Sequence, residues 1–323
     1  MQYRKLGASG VKVSEIALGS WLTYGGSVDE NSSIKQILHA VDLGINFIDT
    51  ANVYAHGNAE VVIGKALKSL ERDSIFLASK VFFPMGDGPN DRGLSRKHVF
   101  EQCHQSLKRL DTPYLDLYQC HRYDPDTPMY ELVRAMDDLA RQGKILYWGV
   151  SEWKAEQIED AVNTAKAMNA LAPVSNQPCY NMLTRRIEES VVPTSWKHGL
   201  GQVVFSPLAQ GVLTGKYESG KSFPKDSRGA DDRTNVFMLG NNLTSDANLQ
   251  KARELKSIAQ DLNVSSAQLA LAWCLRLKEV SSVICGATQN YQIDDNVKAS
   301  GLKLSQEVLD KIEGILTSAN LVR

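Results

Sequence analysis

What the 323-residue chain lacks narrows its function first. No apolar run approaches the roughly 18 residues that span a bilayer, and no charged-then-apolar leader opens it. The expectation is a soluble, cytoplasmic protein with no membrane insertion. No block of like charge occurs. The 36 Lys and Arg balance 37 Asp and Glu for a net charge of −1, which offers nucleic acid no electrostatic footing as a partner. The five cysteines (Cys103, Cys120, Cys179, Cys274 and Cys285) are odd in number and never in C-x-x-C spacing. That pattern speaks against a disulfide framework and against zinc, so no metal site is expected. Phosphate-binding motifs are missing as well. Gly199-Leu200-Gly201 lacks the third glycine of the dinucleotide fingerprint and precedes a strand. Gly211 to Tyr217 is one residue short of a P-loop, with tyrosine where magnesium needs Ser or Thr.

What is present is alternation. After a short hairpin pattern from Tyr3 to Val13, apolar strand-like runs recur at Ile16–Gly19, Ile45–Asp49, Ile75–Lys80, Tyr114–His121, Ile145–Ser151, Val174–Gln177, Gln202–Ser206 and Ser281–Cys285. Between and after them, helical spacing is predicted over 29–43, 60–70, 95–110, 129–141, 154–168, 185–198, 246–261, 265–277, 290–299 and 306–316. Strict βα alternation at this length, with 43% apolar residues to fill a core, favours a closed (β/α)8 TIM barrel over an open doubly wound sheet. No linker divides residues 1–323, so one domain is expected, with the hairpin as a cap. The stretch from Ala209 to Thr244 exceeds ordinary loop length and reads as a lid or strap over a ligand.

Three successive strand ends carry reactive side chains. Asn46-Phe47-Ile48-Asp49 runs out into a loop with Tyr54, the next strand stops on Lys80, and the third stops on His121. In parallel α/β folds the C-terminal strand ends carry the chemistry. Lys80 is expected to pull the Tyr54 phenol down toward neutrality, Asp49 to hold the lysine charged, and His121 to bond a substrate oxygen. Taken singly, each has a duller use: Asp49 on loop amides, Tyr54 in loop packing, Lys80 in solvent, His121 paired with Asp124 or Asp126. Together they describe a site that protonates a carbonyl oxygen as hydride reaches its carbon. A Schiff-base role for Lys80 would require an uncharged amine, which Asp49 opposes.

Asp49-x4-Tyr54, Lys80 and His121 resemble the catalytic tetrad of the aldo-keto reductases. Trp21-Leu22-Thr23-Tyr24-Gly25-Gly26, Gly93-Leu94-Ser95-Arg96-Lys97-His98, Thr127-Pro128-Met129, Tyr147-Trp148-Gly149, Ser206-Pro207-Leu208-Ala209 and Ala270-Leu271-Ala272-Trp273-Cys274-Leu275 are similar to the potassium-channel β-subunit branch of that superfamily. The resemblance implies NADPH as cofactor, a small aldehyde or ketone as substrate, Tyr54 as general acid, and assembly as a homotetramer. It also implies a set of cofactor contacts. Ser20 and Trp21 would sit at the mouth beside Asp49, with Ser151 and Gln177 on the nicotinamide carboxamide. Phe205 would stack on the ring, and Ser206, Pro207, Leu208, Gln210 and Gly211 would strap the pyrophosphate. Lys216 and Arg228 would meet the adenosine phosphates, and Gly286, Thr288, Gln292, Asp295 and Asn296 would hold the 2′-phosphate end. Departures are visible: mammalian channel subunits have asparagine at His121 and tryptophan at Phe205, and Glu152 replaces the usual Asn. Trp21, Tyr24, Phe82, Phe83 and Trp153 are expected to line an apolar mouth that favours uncharged carbonyls. The alternative implied by the same branch is a redox-sensing regulatory subunit with slow turnover, whose channel partner the residues do not name.

Overall fold

The computed structural model describes residues 1–225, 227–232 and 234–318. An antiparallel hairpin, β1 (Tyr3–Lys5) and β2 (Lys12–Ser14), precedes the main sheet. That sheet comprises β3 (Ile16–Gly19), β4 (Phe47–Asp49), β5 (Phe76–Val81), β6 (Leu115–Cys120), β7 (Ile145–Ser151), β8 (Ser175–Gln177), β9 (Gly201–Val204) and β10 (Val280–Cys285). Each strand pairs in parallel with its neighbours and β10 returns to β3, which closes the barrel. The helices are α1 (Glu30–Asp42), α2 (Asn58–Leu67), α3 (Arg96–Leu110), α4 (Met129–Arg141), α5 (Ala155–Ala167), α6 (Val191–Lys197), α7 (Val236–Leu239), α8 (Asp246–Asp261), α9 (Ser266–Leu275), α10 (Asn290–Val297) and α11 (Gln306–Thr317). None among the described residues is long and apolar enough to cross a membrane.

The helix starts are written locally. Asp29, Ser95, Ser245, Ser265 and Ser305 each accept an amide proton from the first turn of the helix that follows, filling donors the helix itself leaves free. One helix is shorter than its pattern. Residues 185–190 are outside α6, because a helix running through them would drive the Pro193 ring into the carbonyl of residue 189. Val192 N bonds Ile187 O at 2.9 Å instead, and Arg185 clasps Glu188 and Glu313.

The barrel lumen is layered. Leu6 and Val13 of the hairpin close its lower end against Ala17, Phe47, Phe76, Ala78, Leu117, Val203 and Ile284, all buried. Gly7 makes this possible. Its φ is +57°, and a Cβ there would lie 2.2 Å from the carbonyl oxygen of Gly199. The long connection after β9 is folded, not loose. It holds a turn at Ala209–Thr214, another at Arg228–Ala230 and α7, with Val212, Leu213, Tyr217 and Met238 buried. Phe237 then meets Trp21 edge-on at 4.7 Å, carrying the connection back to the loop after β3.

Candidate active site

Period-two alternation delivers the reactive groups. Above the apolar layer, the next inward position on each strand is polar: Asp49 after Phe47, Lys80 after Ala78, Gln119 and then His121 after Leu117, Ser151 on β7, Gln177 on β8. Lys80 is fully buried. Its Nζ donates to Asp49 Oδ2 at 2.5 Å, to Thr50 O at 2.8 Å and to Tyr54 Oη at 3.2 Å. Asp49 Oδ1 accepts from Gln177 Nε2 at 2.8 Å and Gln119 Nε2 at 3.3 Å. The His121 ring lies edge-on to Tyr54, centroids 5.7 Å apart, and 4.9 Å from the Phe83 ring. Asp124, the duller partner for His121, is spent on Leu94 N and Thr127 Oγ1, both at 2.7 Å.

Tyr54 opens a turn that few sequences tolerate. Ala55 (φ 48°), His56 (φ 51°) and Gly57 (φ 90°) are all left-handed, and such backbone persists only where its surroundings over-determine it. Here the surroundings are Arg109, whose Cδ would lie 2.8 Å from a Cβ on Gly57, and the fully buried Glu60, which holds Arg109 Nε at 2.6 Å. Glu60 also accepts from Ser79 Oγ at 2.5 Å, beside Lys80. Gln119, Glu60 and Arg109 escaped sequence reading. The signal for Gln119 was its place two residues before His121 on one strand face, whereas the Glu60–Arg109 pairing spans distant segments and leaves no local trace.

Electrostatics correct one expectation. Burial pushes the Tyr54 phenol above its ordinary value, and the Lys80 ammonium, pulling it down, does not offset this. Burial alone would lower Lys80, but the charges and hydrogen bonds of Asp49 and Tyr54 together hold it above the usual lysine range. Burial, then the cations Lys80 and Arg122, push His121 well below its ordinary value, leaving a neutral imidazole. The trio therefore keeps an ionised pair beside a protonated phenol. Of the aromatic mouth, Tyr24 and Trp153 are buried in the core, and Trp21, Phe82 and Phe83 stay partly exposed.

The residues expected to hold a cofactor occupy three places. At the lumen, Ser151 Oγ donates to Gln177 O at 2.8 Å, and Ser20 Oγ to Thr50 Oγ1 at 2.9 Å. Gln177 commits its amide hydrogens to Asp49 and Gln119, so its Oε1 is the end left as an acceptor. Along the strap, Phe205 is half-buried, Pro207 buried and Leu208 half-buried, and Ser206 turns left-handed at φ 54°. Gln210 Nε2 donates to Ser206 Oγ at 2.5 Å and its Oε1 accepts from Arg228, which lies 5.8 Å from the Trp21 ring centroid. A Cβ on Gly211 would approach Lys216 Cε at 3.2 Å. Burial lowers Lys216, aided by the Arg228 charge, and burial likewise lowers Arg228. Lys216 is exposed and Arg228 half-buried; two neighbouring cations, neither ion-paired to a carboxylate among the described residues, suit a phosphate-bearing ligand. Across the mouth, Gly286 is exposed and Gln292 Oε1 caps α10 by accepting from Thr288 N at 2.7 Å. Asp295 accepts from Ser265 Oγ and Gln268 Nε2, both at 2.6 Å, joining α9 to α10, and Asn296 is buried at a small cavity that Ile16 and Ile45 also line. No group of three or more His, Cys, Asp or Glu among the described residues is placed to hold a metal.

The aldo/keto reductase family profile matches residues 15–317, and the chain belongs to that family of oxidoreductases. Among curated relatives, it is 45% identical to the "Probable voltage-gated potassium channel subunit beta" of Oryza sativa subsp. japonica, over 98% of this chain and 97% of that one. It is 46% identical to the protein of the same description from Arabidopsis thaliana, with the same coverage. A "Putative voltage-gated potassium channel subunit beta" from Schizosaccharomyces pombe is 44% identical over 97% of this chain and 93% of its own length.

Proposed function

We propose that the protein is an NADPH-dependent reductase of small aldehydes and ketones, acting as one unit over the whole barrel. The observation that carries this reading is a dry relay: Tyr54 Oη 3.2 Å from Lys80 Nζ, and Lys80 Nζ 2.5 Å from Asp49. NADPH, when bound, supplies the hydride to the carbonyl carbon. Tyr54 gives its proton to the carbonyl oxygen, and Lys80 stabilises the phenolate only as it forms, which is where stabilisation accelerates a step. Asp49 keeps Lys80 charged and oriented. His121, neutral, bonds the same oxygen and aligns it toward Tyr54. Gln177 Oε1 and Ser151 orient the carboxamide, while Lys216 and Arg228 hold phosphate under the strap and help exclude water. A Schiff-base role for Lys80 is opposed by the charge that Asp49 maintains.

Tyr54→Phe removes the proton donor and little else. Reduction should be abolished, read as loss of NADPH absorbance with an aldehyde, while NADPH binding stays near wild type. Activity equal to wild type would end the mechanism. The names of the relatives favour a second reading, a nucleotide-binding regulatory subunit; slow turnover with tight nucleotide retention would support it over the first.

A further inference from the structure

The guanidinium of Arg122 stands beside the proposed catalytic groups with no carboxylate paired to it among the described residues. It follows His121 directly, donates from Nη1 to His121 O at 2.5 Å, and lies 5.4 Å from the Phe83 ring centroid. The same Phe83 ring touches the His121 imidazole, so Arg122 and His121 share one wall of the mouth. Its charge acts on Tyr54, on His121 and on Cys179. The acids nearby are already engaged. Glu152 accepts from Cys179 N at 2.5 Å and pairs with Arg186, and Asp124 holds Leu94 N and Thr127. Arg122 forms no ion pair with a carboxylate among the described residues, and a guanidinium offers five N–H donors of which a backbone carbonyl takes one. A half-buried guanidinium of this kind keeps its remaining donors available to an incoming anion.

We propose that Arg122 receives an oxyanion on the substrate, so that the preferred carbonyl compounds carry a carboxylate or phosphate a short distance from the reducible group. This rests on the reductase reading and departs from the expectation of an uncharged substrate, which leaned on mouth aromatics of which Tyr24 and Trp153 are core. The planar fork of arginine binds a carboxylate or phosphate through two parallel hydrogen bonds, fixing orientation as well as affinity. Held this way, the anion points the carbonyl back toward Tyr54 and His121.

The test uses matched pairs differing in charge: 4-formylbenzoate against its methyl ester for a carboxylate, and glyceraldehyde 3-phosphate against glyceraldehyde for a phosphate. The wild-type protein should prefer the anionic member of at least one pair in kcat/KM, and the pair that responds identifies the oxyanion. In Arg122→Gln that preference should fall about 10- to 100-fold, mostly through KM, with Arg122→Lys between. For the wild type, the preference should shrink as ionic strength rises from about 0.05 to about 0.5 M, which needs no variant to fold. No preference for either anion, or a preference untouched by Arg122→Gln, overturns the proposal. If no aldehyde is reduced at all, the reductase reading fails separately, and calorimetric binding of 4-formylbenzoate and of glyceraldehyde 3-phosphate still decides. Binding weakened in Arg122→Gln upholds the anion site, and equal binding, or none to the wild type, refutes it.

Discussion

Replacing Glu60 by glutamine should disable the protein from a position that touches no substrate. Glu60 is fully buried and Arg109 about four-fifths so, at 2.6 Å. Neutralising the acid strands a mostly desolvated guanidinium, a loss on the order of 3–5 kcal/mol for a buried pair, and somewhat less here because the Arg109 side chain keeps 20% of its exposure. The turn it clamps stores a comparable amount. Ala55 and His56 are both left-handed, at about 1–2 kcal/mol each. Loosening Arg109 therefore removes roughly the energy that keeps the turn strained, and the turn is free to relax with Tyr54 on it. Glutamine keeps one acceptor oxygen where Glu60 has two, so Ser79 Oγ, next to Lys80, and Arg109 Nε now compete for it.

The assay pairs urea unfolding with steady-state reduction. The unfolding midpoint should fall by an amount matching about 2–4 kcal/mol, and kcat should drop at least tenfold while NADPH affinity changes little. A variant that is destabilised yet turns over normally would show that the turn holds itself, and would refute the clamp. One with normal stability and low kcat would instead point to direct electrostatics between Glu60 and the Lys80 region.

Three further outcomes are expected. Because Tyr54 is raised and His121 is lowered well below their ordinary values, the donor keeps its proton and the imidazole stays neutral between roughly pH 6.5 and 10; kcat/KM for reduction should be flat there, and a limb near pH 8 would contradict it. Arg228→Glu should weaken NADPH by about tenfold more than NADH in fluorescence titrations; equal losses would remove Arg228 from the 2′-phosphate and leave it at most on the pyrophosphate that both nucleotides carry. Gly7→Ala, with its Cβ 2.2 Å from Gly199 O and φ at +57°, should lower stability by about 2–4 kcal/mol in urea unfolding, and an unchanged midpoint would mean the hairpin does not seat there as described.

Legibility followed the range of the interactions. Alternation of apolar runs with helical spacing is local, and the eight barrel strands fall within a residue or two of where their runs predicted them. The ends of α8, Asp246 and Asp261, lie where the spacing placed them. Reading failed where a distant segment decides. Pro193 truncates α6, yet it took the fold to show that Arg185 and Glu188 outside it are held by Glu313 and Arg276. The strap reads as polar loop, and only the barrel shows Tyr217 and Met238 as core. Glu60 looks like an ordinary acid at a helix start, and its burial depends on Arg109, 49 residues on.

The sense of the Tyr54 shift was misjudged for a related reason: charge is visible in a sequence, and desolvation is not. Lys80 beside a phenol argues for a lowered value, but the same barrel wall that brings them to 3.2 Å strips water from both. With Asp49 and Lys80 ionised and Tyr54 neutral, the trio carries no net charge at rest, a state that a dry interior tolerates. Donating the proton leaves one negative charge on the trio, and the cations facing it are Lys80, already in place, and Arg122 at the rim. In the proposed mechanism, stabilisation is thus withheld from the resting phenol and delivered to the phenolate, and the raised value keeps the donor protonated until transfer. It follows that discharging Lys80 should slow proton transfer more than it weakens binding, and Lys80→Met should lower kcat further than it raises the KM for the aldehyde. A variant that changed KM alone would place Lys80 in binding and leave the phenolate without its cation.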